Sequence, residues 1–167
     1  MSCVNGHKRK VPLITVLGLT AIILSSCHFP VELWVVSGST ADGLVFGFSE
    51  SRKSKRKIKT LSIKVFPCDS VRKQPGGSYF PSDEFAVWSA SVPAGTVYVA
   101  TNRIMYGRDE FGLKTQRGPE PLTAHGCYVA IADAAEEYDG GVTAFKIVED
   151  RKVVELRGKE YEAIFRK

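Results

Sequence analysis

The chain has 167 residues, 44% of them hydrophobic and 25% charged, a length that suits one domain with a respectable core and makes two cramped. Its formal charge of +5 arises from 23 Lys and Arg against 18 Asp and Glu. Lys8, Arg9 and Lys10 lie in an N-terminal segment without acids, leaving 20 basic against 18 acidic residues, or +2, so overall basicity is excluded as an argument for nucleic acid.

The N-terminal segment has three chemically distinct parts: "HKRK" at His7 to Lys10, an apolar stretch from Val11 to Leu24, and the small pair Ser25 and Ser26 before Cys27. That is the layout of a secretory signal. The 14 residues of the apolar stretch would make a helix roughly 21 Å long, short of the roughly 30 Å hydrocarbon core that a spanning helix must cross. Pro12 shortens it further, which disfavours a permanent transmembrane helix.

Leu24, Ser25, Ser26 and Cys27 resemble the lipobox of bacterial lipoproteins, in which a Leu and two small residues precede an obligatory Cys. The resemblance implies a signal peptide over residues 1–26, acyl chains on the Cys27 thiol, and a mature chain of 141 residues. Each buried CH₂ contributes about 0.8 kcal/mol, so two or more chains anchor stably. In lipoproteins of Gram-negative bacteria an Asp after the Cys favours retention at the inner membrane. Here the residue is His28, which implies the outer membrane, facing the periplasm. The alternative is a soluble periplasmic product, since Ser25 and Ser26 also suit ordinary signal cleavage.

Of the four cysteines, Cys3 lies in the removed segment and Cys27 would carry lipid, leaving Cys68 and Cys127 in an oxidising compartment that favours a disulfide. The alternative is a thiol pair that binds metal with His125 in "HGC", a weak pattern for a site.

After a tether over residues 27–30, residues 31–167 read as a single domain of mostly period-two segments. Strands are predicted at "ELWVV" (Glu32 to Val36), "LVFGF" (Leu44 to Phe48), "KTLSIKV", "EFAVWSA" (Glu84 to Ala90), "TVYVA" (Thr96 to Ala100), "RIMY" and "CYVAIA". In "KTLSIKV", Leu61, Ile63 and Val65 alternate with Thr60, Ser62 and Lys64, so one face can bury while the other stays wet. "VTAFKIV", "KVVEL" and "EYEAIF", separated by "EDR" and "RGK", predict an antiparallel meander at the C-terminal end. "DAAEEY", Asp133 to Tyr138, predicts a turn or two of helix ended by Gly140. Turn chemistry such as Asp42-Gly43 and Pro93-Ala94-Gly95 recurs between the strands. The fold class expected is all-β, an antiparallel β-sandwich.

The order Cys68, Trp88, Cys127 resembles immunoglobulin-type sandwiches, where a Trp packs on a bridge between sheets. The likeness extends only to architecture, because the tyrosine expected two residues before the second Cys is replaced by His125, with Tyr128 after it. "PLTAHGCYVA" is similar to a strand-entry segment of small bacterial envelope lipoproteins, which implies kinship and no activity.

The run "SRKSKRKIK" carries six basic residues, Arg52, Lys53, Lys55, Arg56, Lys57 and Lys59. Beside a lipid tether it could meet anionic lipid or wall polymer, each charge contributing about 1 kcal/mol near such a surface. Its other reading is a solvated hairpin loop. Asp133, Glu136, Glu137 and Asp139 could offer oxygens to calcium, but their spacing is not that of an EF-hand, and a solvated turn is the simpler reading. Within the domain His125 is the histidine available as a catalytic base, and no G-x-S-x-G, phosphate-binding glycine loop or H-E-x-x-H motif accompanies it. No metal or cofactor is expected. Among the aromatic residues, Tyr79 and Phe80 in "GGSYFPSDEF" could present an apolar loop to a partner.

The function expected is therefore that of a non-catalytic envelope lipoprotein that binds or scaffolds another envelope component. The alternative is a periplasmic inhibitor or small-ligand-binding module.

Overall fold

The computed structural model describes residues 29–71, 81–135 and 138–166. Ten strands and one helix follow in order: β1 (Glu32–Val35), β2 (Val45–Ser49), β3 (Ile58–Pro67), β4 (Trp88–Ser91), β5 (Ala100–Thr101), β6 (Arg103–Met105), β7 (Lys114–Arg117), β8 (Cys127–Ala134), β9 (Gly141–Ile147), β10 (Val153–Glu155) and α1 (Lys159–Phe165). They build two antiparallel sheets. The smaller has the order β1-β2-β6; the larger runs β10-β9-β8-β3-β4-β7, with β5 also paired to β3. This is the all-β sandwich that the alternating sequence predicts.

Alternation sets which residues fill the space between the sheets. Leu33, Val35, Phe46, Phe48 and Ile104 of the small sheet are buried against Ile63, Val65, Trp88, Ala130 and Phe145 of the large one. The Phe46 and Phe145 rings meet edge-on at 5.8 Å, and Tyr128 stacks on Phe145 at 5.5 Å. Each large side chain buried this way stabilises by about 1.5–3 kcal/mol. Trp88 lies opposite Val65 and is fully buried, packed edge-on to Tyr106 at 5.0 Å. Its indole N–H finds no hydrogen-bond acceptor among the described residues.

The outer face of the large sheet carries a second core. Val129, Ala144 and Leu156 pack there with Ile164 of α1, flanked by Tyr161, Phe165, Cys68 and Cys127. "EYEAIF", expected as a third meander strand, is this helix. Tyr161, Ile164 and Phe165 recur at three- and four-residue spacing, so a helix turns all of them onto the sheet where a strand would divide them between two faces. Glu160 and Glu162 in its first turn suit the positive end of the helix dipole. The other two meander strands stand, as β9 and β10.

"DAAEEY" is corrected in the opposite direction. Asp133 and Ala134 complete β8, with Asp133 opposite Ser62 and hydrogen-bonded to its hydroxyl, so sheet pairing overrides the helical preference of the local sequence. Glu136 and Glu137 lie outside the described residues. "TVYVA" contributes only Ala100 to a strand, while Val97, Tyr98 and Val99 are exposed in the approach to β5. "EFAVWSA" begins as a 3-10 turn, Asp83–Phe85, and becomes strand at Trp88. Strand β7, "KTQR", has no apolar alternation and is recruited by pairing with β4.

Cys68 and Cys127 form the expected disulfide, with Cα atoms 5.3 Å apart. It does not bridge the two sheets. Pro67 opposes Tyr128 in the β3–β8 register, and the cysteines lie one step beyond, joining neighbouring strands of the same sheet. Trp88 is in the inner core and the disulfide borders the outer one, so the likeness to an immunoglobulin bridge ends at the level of two packed sheets. Tyr128 instead turns inward, and its hydroxyl accepts the Thr123 N–H at 2.9 Å.

The disulfide closes a separation of 59 residues, for which the chain-entropy relation gives about 4 kcal/mol. Replacing both cysteines by Ala should lower the urea midpoint by the equivalent of up to about 4 kcal/mol. Reductant should produce the same shift in the wild type and none in the variant.

Candidate functional site

Residues 50–57 connect β2 to β3, and those strands belong to different sheets, so the basic run is a crossing between layers and not the hairpin loop considered from the sequence. Short polar side chains shape it. Ser54 N–H donates to the Ser51 carbonyl at 3.0 Å, Arg56 N–H to Ser54 Oγ at 3.1 Å, and Ser49 Oγ to the Arg56 carbonyl at 2.8 Å.

The six basic residues then divide by role. Arg52 turns toward the body: its guanidinium donates to Glu155 Oε1 at 2.5 Å and its backbone N–H to Glu32 Oε2 at 3.2 Å. Arg56 donates to Glu50 Oε1 at 2.7 Å and lies over the Tyr138 ring at 5.4 Å. Lys59 is already in β3, opposite Ala100. Lys53, Lys55 and Lys57 are exposed and hold no ion pair among the described residues. Of the six, these three present a charge outward without an ion-pair partner among the described residues.

The same crossing lies against the beginning of the described chain. Phe29 forms a bridge with Tyr138, their rings 6.1 Å apart, and its carbonyl accepts the Asp139 N–H at 3.0 Å. Tyr138 in turn donates to Glu50 Oε1 at 3.3 Å, beside Arg56. Cys27 lies outside the described residues, but it is two residues before Phe29, so covalent geometry holds it within about 7 Å of that point.

On the other side of Arg52 the two sheets part to leave a cleft of about 620 Å³, lined by Trp34, Val35, Ser37, Arg52, Val154, Glu155 and Arg157 among others. Trp34 lies flat across Gly47 on the outer face of the small sheet, so close that a Cβ at Gly47 would fall 2.1 Å from the ring. Arg52 covers its other face at 5.7 Å from the ring centroid. Glu155 opposes Phe145 in the register and points toward the interior, its side chain only 10% exposed. It accepts from Arg52, from Arg157 Nη2 at 2.8 Å and from Thr143 Oγ1 at 3.1 Å. Burial alone would raise its pKa, but the hydrogen bonds from Arg52 and Arg157 and the charge of Arg52 outweigh it and hold the carboxyl below its ordinary 4.5.

His125 occupies an exposed turn with a left-handed backbone, where a shallow pocket is lined by Glu149, Asp150 and Lys152. With Cys68 and Cys127 joined to each other, the alternative metal pairing of those thiols with His125 is corrected. Among the described residues no group of three or more His, Cys, Asp and Glu converges on a point that could hold a metal ion. Asp133 is engaged by Ser62, and Tyr79 and Phe80 lie outside the described residues. Trp34 is one of the aromatic residues that the sequence offers for contact, with Trp88 and Tyr106; Glu155 and Tyr138 carry no such signal as site residues. Glu155 sits between Val154 and Leu156, and nothing in that pattern marks a carboxylate that will face the core edge.

No protein-family model matches the chain, and neither a curated protein nor a solved structure does.

Two substitutions test this geometry. Gly47→Ala must displace the Trp34 indole and should cost about 1–3 kcal/mol in urea unfolding, with a shift in tryptophan emission. For Glu155, a folded pKa below the ordinary value adds stability that is fully present above 4.5 and lost as pH falls through the folded value. The stability difference between wild type and Glu155→Gln should therefore shrink as unfolding is measured from about pH 7 down to about pH 3.

Proposed function

We propose that the chain is an exported envelope lipoprotein, acylated at Cys27, whose β-sandwich binds or scaffolds another envelope component without catalysing a reaction. The observation that carries this reading is the packing of Phe29, two residues after the lipobox cysteine, on Tyr138 of the sandwich. A domain tied that closely to its own N-terminus rides directly on whatever Cys27 is attached to. The Cys68–Cys127 disulfide supports an oxidising compartment, since such bonds persist outside the reducing cytosol. His28 after the cysteine favours the outer membrane in a Gram-negative cell.

A periplasmic ligand-binding module is the second reading, and the cleft beside Trp34 favours it. There Arg52, Glu155 and Arg157 converge within a concave site of a size that suits a small molecule. The charges in that cleft satisfy one another, which leaves the anchored reading ahead.

Intact mass of the membrane-extracted protein, beside Cys27→Ala, tests the anchor. The expected result is a chain that begins at Cys27 with acyl mass, absent from the variant. An unacylated chain in the soluble fraction would overturn it and move the periplasmic module into first place.

A further inference from the structure

We propose that Lys53, Lys55 and Lys57 form a foot that contacts the phosphates of anionic lipid headgroups in the same membrane that holds the acyl chains of Cys27, an inference that rests on the anchored reading above. Three observations converge on it. Arg52 and Arg56 are paired with Glu155 and Glu50, whereas the alternate residues Lys53, Lys55 and Lys57 are exposed and hold no ion pair among the described residues. Arg56 of that loop lies over Tyr138, and Tyr138 packs on Phe29. Phe29 is joined to Cys27 through His28 alone, a reach of about 7 Å.

A tether that short decides the occupant. The end of the domain bearing Phe29 cannot rise from the headgroup layer by more than about one Debye length, roughly 8 Å in physiological salt. A single helix, about 10 Å across, would not fit in that gap, which favours the headgroups themselves over a folded protein as what the neighbouring loop meets. Lysine suits the task. Its ammonium is a compact charge on a flexible stem that can follow mobile phosphates, where arginine would favour a fixed fork. Each lysine near an anionic surface favours contact about fivefold.

The acylated full-length product, purified from membranes and checked for acyl mass, is reconstituted in vesicles of phosphatidylcholine alone or mixed with phosphatidylglycerol. A brief pulse of amine-acylating reagent is then read residue by residue by peptide mass spectrometry. The expected result is labelling of Lys53, Lys55 and Lys57 slowed about fivefold or more by phosphatidylglycerol, and restored by high salt. Lys114, on the opposite edge of the large sheet from β10, should label alike in both. Equal labelling of the three lysines in both vesicles, with acyl mass on Cys27, would overturn the foot and leave the anchor intact. Protection by inorganic phosphate in phosphatidylcholine vesicles would mark a free-phosphate site and overturn the lipid assignment. Absence of acyl mass would overturn foot and anchor together.

Discussion

The chain leaves the small sheet at Ser49 and enters the large one at Ile58, and these eight intervening residues must cross the roughly 10 Å that separate packed sheets. Two arginines hold the crossing in place. Arg52 reaches Glu155 on β10, the edge of the large sheet, while its backbone N–H donates to Glu32 on β1, the edge of the small one. Arg56 holds Glu50 and covers Tyr138. Three features of the described domain adjoin this strap: the cleft at one side, the first described residues at the other, and the exposed lysines that it carries.

Arginine is suited to that work because its planar guanidinium can donate to a carboxylate and lie on an aromatic ring together. Arg52 does both, with Glu155 and Trp34, and Arg56 does both, with Glu50 and Tyr138. Glu155 shows why the pairing matters. A carboxylate only 10% exposed would be costly if left alone, and two arginines and a threonine hydroxyl satisfy it. Trp34 can lie flat because Gly47 opposite it has no side chain. The contact is thus a stack of glycine, indole and guanidinium, closed at its edge by Glu155.

The outer face of the large sheet poses a separate packing problem. Val129 and Ala144 lie on that face, opposite the inner core, and water would meet them without a cover. Helix α1 supplies one, and the disulfide closes the neighbouring corner. The large sheet is therefore apolar on both faces where α1 covers it. Strand β8 shows it in sequence: "CYVAIA" is a continuous apolar run where a strand with one wet face would alternate.

Much of the fold was legible in the sequence because strand periodicity is a local signal. Leu33, Val35, Phe46, Phe48, Ile63 and Val65 alternate along their own segments, and all are buried where that alternation predicts. The pairing of Cys68 with Cys127 followed from composition once Cys3 and Cys27 were set aside, and the structure has it. The basic run was equally visible, as a string of six charges without internal distinction. Tertiary structure decided the rest. "EYEAIF" became a helix because an apolar sheet face needed cover, and "DAAEEY" lost its helical start to pairing with β3. The division of the basic run into two buttressing arginines and three outward lysines depended on Glu50 nearby, but also on Glu155, which is 103 residues away along the chain. Charge and periodicity are written in each segment, whereas the partner that neutralises a charge or covers a face is supplied by packing between segments remote in sequence.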